Sequence, residues 1–238
     1  MKSYSLIKRS SSISVTVAGQ GGVPAGQAVG VVMNVTATQS SATSYLTIYP
    51  TGQSRPLASD LNFVPNQTVP NLVVSELGTD GQISIYNVSG VVDVLIDVVG
   101  YFTLPGSING ARFSPLVPKR ILDTRINLGS CSVSCSALGS NSTLTLQVTG
   151  INGSALLGAS GAIMNVTAIS PTQLSYLTIY PSNVTLPVAS DLNFVAGQTT
   201  ANSVASELSS SGQISIYNFK GTVNVAVDIY GYFNDGST

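Results

Sequence analysis

Residues 30–38, GVVMNVTAT, decide the fold because their apolar and polar side chains alternate along the chain. Successive side chains of an extended strand point to opposite faces, so this alternation predicts a strand with one buried and one polar face. Further short segments, rich in β-branched and aromatic residues, are each bounded by Gly, Pro, Asn or Asp. We therefore predict an all-β fold, an antiparallel β-sandwich of jelly-roll or Ig-like type, with a barrel as the alternative. The predicted buried face of the first strand carries Val31, Met33, Val35 and Ala37.

The stretch that begins with this strand occurs twice. Residues 30–102 align with residues 161–233 at a constant offset of 131 residues without a gap, and 42 of the 73 aligned positions are identical. Such identity predicts two tandem copies of one module. The predicted first module is 1–103, the linker is 104–110, and the second module is 111–238.

The two modules differ before their first shared strand. The second has an additional segment, Ala111–Ser142, which contains FSPLVPKRILDTR, and the first module lacks this LDTR segment. A sheet edge left without a strand exposes unpaired backbone donors and acceptors, which form a template for another chain. We expect self-assembly by strand exchange, in which Ala111–Ser142 or the N-terminal arm of one subunit completes the first module of its neighbour.

The composition excludes two classes of partner. Charged residues make up 8% of the chain and the net charge is −1, so the chain lacks the basic excess that nucleic acid binding requires. No apolar run approaches the roughly 18 to 20 residues that a membrane helix needs. We therefore expect neither nucleic acid as a partner nor insertion into a membrane.

The order of the repeated motifs resembles that of a known module. PLVPKRILDTR, a VTG strand, MNVTA, SYLTIYP, ASDLNF, GQISIYN and VDIYGYF follow one another as in a repeat module of secreted actinobacterial and acidobacterial proteins. Some of those proteins attach the module to cell-wall amidases. The resemblance covers nearly all of residues 12–233, and it implies an extracellular, all-β, repeated domain that is not itself catalytic.

The residues needed for common catalytic sites are missing from the sequence. The chain has no histidine, which excludes Ser-His-Asp and Cys-His arrangements, and its two cysteines alone cannot form a four-ligand zinc site. Its two glutamates, Glu76 and Glu207, occupy the same position in the two copies. We expect no enzymatic activity, no catalytic residue, no cofactor and no metal.

The cysteines lie close together in the sequence. Cys131 and Cys135, in CSVSC, are spaced for a small disulfide-closed loop, and a pair of free thiols is the alternative. A disulfide indicates an oxidising compartment, so the predicted location is secreted, extracellular or at the cell surface.

One acidic residue of each copy lies in an apolar strand. Asp97 and Asp228 interrupt VLIDVVGYF and VAVDIYGYF, where a carboxylate is costly to bury without a partner. A guanidinium can bind a carboxylate through two hydrogen bonds. We therefore predict a buried structural ion pair between Arg125 of the LDTR segment and Asp228 or Asp191.

Tyrosines recur at matching positions of the two copies. Tyr45 and Tyr49 are repeated as Tyr176 and Tyr180, and each pair would lie on one face of its strand. Such rings either pack within the fold or contact glycans. The sequence predicts a structural or adhesive protein of the cell surface, built of tandem repeats as a fibre or layer, whose partner is itself or a cell-surface polymer. The alternative is a carbohydrate-binding accessory module that recognises cell-wall or other glycans.

Overall fold

The computed structural model describes residues 5–78, 80–104, 110–151, 155 and 157–234. All regular structure in these ranges is β-strand, which confirms the predicted all-β class. The described part of the chain contains no helix with the length and apolar character needed to cross a membrane. The chain divides into two compact units, Met1–Gly110 and Ala111–Thr238.

The first module is a sandwich of two four-stranded antiparallel sheets. Its strand orders are β1-β8-β3-β6 and β2-β7-β4-β5. This is the order of a jelly roll, in which the chain passes repeatedly between the two sheets. The strands are β1 (Ser5–Ile7), β2 (Ser11–Thr16), β3 (Ala28–Thr38), β4 (Ser44–Pro50), β5 (Leu61–Phe63), β6 (Val69–Glu76), β7 (Gln82–Asn87) and β8 (Val92–Thr103).

The second module repeats this topology with one longer and one additional strand. Its sheets have the orders β10-β9-β17-β12-β15 and β11-β16-β13-β14. Here β9 occupies the position that β1 has in the first module, and β17 corresponds to β8. The strands are β9 (Arg112–Asp123), β10 (Leu128–Gly129), β11 (Ser142–Gln147), β12 (Gly161–Ile169), β13 (Ser175–Pro181), β14 (Leu192–Phe194), β15 (Thr200–Glu207), β16 (Gln213–Asn218) and β17 (Asn224–Asn234).

Each module has its own apolar core between its two sheets. The core face predicted for β3 is confirmed, because all four of its side chains are fully buried. The alternation predicts that the opposite face of β3 is exposed to solvent, but Asn34 and Thr36 on that face are also buried. β3 is a central strand between β8 and β6, and neighbouring side chains therefore cover both of its faces.

Each module contains a buried asparagine, at the same position of the repeat, that is hydrogen-bonded to neighbouring strands and loops. The amide Nδ2 of Asn87, a fully buried residue, donates to the carbonyls of Ile7 and Gly90, and its Oδ1 accepts from the hydroxyl of Ser44 at 2.7 Å. Asn218 makes the corresponding bonds in the second module. Buried polar groups are costly unless they are hydrogen-bonded, so these motif residues have a structural role.

Candidate functional site

The two modules differ most in the outer strand, which lies beside β8 in the first module and beside β17 in the second. In the second module β9 pairs with β17 from Ala226 to Asn234. In the first module the three-residue β1 pairs with β8 only from Val92 to Val94. Among the described residues no strand lies beside the rest of β8 on the side away from β3. We call residues 96–103 the β8 edge.

Apolar side chains of the β8 edge are more exposed than their counterparts in β17. Tyr101 is 43% exposed, whereas its counterpart Tyr232 is 8% exposed and belongs to the core. Val98 is half-buried, whereas the corresponding Ile229 is fully buried. The Gly-Tyr-Phe motif is identical in the two strands, and among the described residues only the second module has a long strand, β9, beside it.

A glycine marks the place where β9 approaches most closely. A Cβ atom on Gly231 would collide with the ring of Phe113 and would lie 2.7 Å from the carbonyl oxygen of Ser114. Phe113 also contacts Phe233, with 5.3 Å between the ring centroids. In the first module, a Cβ on the equivalent Gly100 would meet, among the described residues, only the Cβ of Val32, at 3.9 Å. We call this open space above Gly100 the Gly100 notch.

The two modules also differ in how their outer strands are protected against pairing. β9 contains Pro115, Pro118 and Lys119, and prolines and lysines are typical devices that prevent an edge strand from joining another sheet. β8 contains neither proline nor lysine, and its β-branched and aromatic residues favour strand pairing. The β8 edge is therefore suited to accept a further strand.

A polar cluster attaches β9 to β17. The guanidinium of Arg120 donates to both carboxylate oxygens of Asp228, from Nε at 2.9 Å and from Nη2 at 2.8 Å. Arg120 also bonds to Asp123 at 3.3 Å, and Arg125 binds Asp123 at 2.7 Å. These contacts, first of all the hydrogen bond from Arg125, lower the pKa of Asp123 from 3.8 to about 2. The bond with Asp228 raises the pKa of Arg120.

The predicted partner of Arg125 was wrong. Arg125 follows the end of β9 and folds back onto Asp123, two residues before it, while Arg120 is the residue paired with Asp228 across the strands. The contact is also less buried than predicted, because the side chains of Arg120 and Asp228 are 41% and 21% exposed. Asp191 instead accepts a hydrogen bond from the backbone N–H of Ile179 at 2.7 Å.

The tyrosines predicted as possible glycan contacts do not form one exposed surface. Tyr45 and Tyr49 are half-buried, and the hydroxyl of Tyr49 is hydrogen-bonded to Ser12 at 3.2 Å. Tyr176 is half-buried, whereas Tyr180 is buried and offers little ring surface to a ligand.

Two further aromatic rings of the second module lie close to Tyr176. Phe219 stacks on Tyr176 with 5.0 Å between centroids, and Tyr217 lies 6.4 Å from the same ring. The ammonium of Lys220 lies 5.1 Å from the Phe219 centroid. The aromatic cluster therefore consists of Tyr176 in β13, Tyr217 in β16, and Phe219 with Lys220 just after β16.

Cys131 and Cys135 are joined by a disulfide, with a Sγ–Sγ distance of 2.02 Å. Cys135 is buried in the core, and its backbone N–H donates to the side chain of Asn127 at 3.0 Å. The disulfide therefore fixes the chain just after β10, close to the end of β9. In the ranges that the structure describes, no three His, Cys, Asp or Glu residues lie together as a possible metal site.

No protein-family model matches the chain, and no curated protein matches it. Among solved structures, the chain has a distant likeness to the N-terminal CBM22-1–CBM22-2 tandem domain of Xyn10C from Paenibacillus barcinonensis. The match covers 87% of this chain and 79% of that chain at 12% identity, with a TM-score of 0.25. A likeness this distant does not indicate what the present chain binds.

Proposed function

We propose that the chain is a non-enzymatic structural or adhesive protein of the bacterial cell surface, whose β-sandwich modules associate through the β8 edge. The observation that carries the proposal is the contrast between β17, which β9 covers, and β8, whose outer side has no described strand along residues 96–103. An unprotected strand edge pairs readily with another edge. The low charge of the chain gives little repulsion between copies.

The contact between copies is best made directly between two β8 edges. Each chain has one β9 and two positions that such a strand could fill, beside β17 and beside β8. Exchange of β9 between copies would open one edge for each edge that it fills. Pairing of two β8 edges closes two edges and opens none, so it gains hydrogen bonds and apolar contact without a compensating loss.

A surface location is supported by two features. The disulfide between Cys131 and Cys135 suits an oxidising compartment, and the repeated motifs resemble those of secreted bacterial modules. A non-enzymatic role is supported by the absence of histidine from the sequence.

The proposal is tested by static light scattering of the purified full chain across a range of concentrations, with negative-stain microscopy of the same samples. We expect the average mass to rise with concentration. The variant Gly100→Lys, which fills the Gly100 notch and charges the edge, should remain monomeric. The matched control Leu57→Lys alters a fully exposed loop residue and should associate like the unmodified chain. A monodisperse monomer at every concentration would contradict the proposal.

Binding of a glycan is a second candidate function, favoured by the aromatic cluster beside Lys220. Outward-facing tyrosines next to a cationic side chain are suited to contact a sugar that carries an acidic group. A pull-down on isolated cell walls and a glycan array test this candidate. Binding that is lost in both Tyr176→Ala and Tyr217→Ala, and kept in Gly100→Lys, would separate it from association through the β8 edge.

A further inference from the structure

We infer that the β8 edge is an acceptor site for a β9-type strand from a separate chain, with an aromatic side chain of that strand in the Gly100 notch. A β9-type strand is an extended segment with an aromatic residue, a hydroxyl residue and a proline in succession, and an arginine seven positions after the aromatic residue, as from Phe113 to Arg120. The inference goes beyond the proposed function. It uses the same β8 edge, but the strand that fills this edge comes from a different chain and takes the place of the β8 edge of a second copy.

The second module shows how such a strand is held. β9 runs antiparallel to β17, with Phe113 opposite Phe233 and Pro115 opposite Gly231. Leu116 packs against the core of the module. The same register on β8 would place an aromatic residue opposite Phe102 and a proline opposite Gly100.

The β8 edge retains the space for this ligand. Gly100 has the same place in β8 as Gly231 in β17, between a β-bulge and a Tyr-Phe pair. Phe102 is 42% exposed and lies on the same strand face as Gly100, so its ring is available to a second aromatic side chain. Burial of two such rings against each other would add apolar contact at this edge.

The charges of the two strands are complementary. β8 contains two carboxylates, Asp93 and Asp97, and no basic residue. β9 contains three basic residues, Arg112, Lys119 and Arg120, and its one acidic residue is at its end. In the register of the second module, the basic residues of the donor strand would run along the part of β8 that contains these carboxylates. Complementary charge favours encounter and fixes register.

The test uses the full chain and a fluorescent synthetic peptide of residues 111–125, and measures binding by fluorescence anisotropy. We expect saturable binding, at least tenfold weaker for the Phe113→Ala peptide and severalfold weaker for the Arg120→Ala peptide. The Arg120→Ala peptide should also show a weaker dependence of binding on salt, because one of its four basic residues is removed. In the chain, Gly100→Val should abolish binding, while the matched control Gly139→Val, which also adds its side chain into open space, should leave binding unchanged.

Absence of binding, or binding that is equal for a scrambled peptide or for the Gly100→Val chain, would overturn the inference. The same samples separate this outcome from failure of the proposed function. A chain that associates with itself and ignores the peptide supports the function and overturns the acceptor site. A chain that binds the peptide and stays monomeric supports the acceptor site and overturns association between copies.

Discussion

The ring of Phe113 packs directly on the backbone of Gly231, so closely that no side chain larger than hydrogen could replace this glycine without movement of β9. In the first module the equivalent residue, Gly100, has room for a larger side chain. The same motif, Gly-Tyr-Phe, thus receives an aromatic side chain in the second module, and among the described residues no side chain takes that place in the first. This difference makes the function of the β8 edge testable.

The two glycines should respond differently to the same substitution. Gly231→Val should destabilise the second module by about 1–3 kcal/mol, because an overpacked contact forces Phe113 and the strand to move. Gly100→Val should change the stability of the first module by less than about 0.5 kcal/mol, because its Cβ would meet open space. Denaturant unfolding of both variants measures the effects, and equal losses of stability would contradict the assigned packing.

The cross-strand ion pair should couple Arg120, and not Arg125, to Asp228. A double-mutant cycle of Arg120→Ala and Asp228→Asn should give a coupling energy of about 0.5–1 kcal/mol, since both side chains are partly exposed. The same cycle with Arg125→Ala should give a coupling close to zero, because that guanidinium binds Asp123. A larger coupling for Arg125 would restore the partner predicted from the sequence.

The depressed pKa of Asp123 predicts how stability depends on pH. Its pKa falls from 3.8 to about 2 on folding, so its contribution is complete above about pH 4 and is lost as the pH falls through the folded value. The loss is on the order of 1–2 kcal/mol. Unfolding of the wild-type chain and of Asp123→Asn should differ at pH 6 and converge towards pH 2. A difference that stays constant with pH would contradict the ionised cluster.

The disulfide should make a modest contribution to the second module. It closes a short loop, with a sequence separation of 4, and chain entropy gives about 2 kcal/mol for a loop of this size. The double variant Cys131→Ser, Cys135→Ser should lower the unfolding midpoint of the second module and leave that of the first unchanged. A loss in the first module, or no loss in the second, would argue against a local role.

The sequence predicted the strands better than their arrangement. Alternation assigns a side chain to a face, and the buried face of β3 was confirmed. It does not specify which strands are neighbours, so the jelly-roll order could not be separated from an Ig-like order before the sheets were known. The repeat and the absent LDTR segment did point to an incomplete first module, because that difference is visible in the aligned copies.

The interactions across the β8 and β17 edges could not be predicted from the sequence. The partner of Asp228 depends on the register between β9 and β17, which shifts at two irregular positions along the pair. Each shift changes which residue of β9 lies opposite a given residue of β17. Because these shifts are not visible in the sequence, the prediction chose Arg125 of the LDTR motif and missed Arg120. Gly100 and Gly231 were missed because a glycine in a strand has no significance until the approaching side chain is known.

Amide hydrogen exchange, followed at low and high protein concentration, tests the association of copies through the β8 edge most directly. We expect the amides of residues 96–103 that do not bond to β3 to exchange rapidly at low concentration and to become protected as the chain associates. The corresponding residues 227–234, which β9 already covers, should show the same exchange at both concentrations. Association that leaves residues 96–103 unprotected, or protects a different surface, would contradict the account.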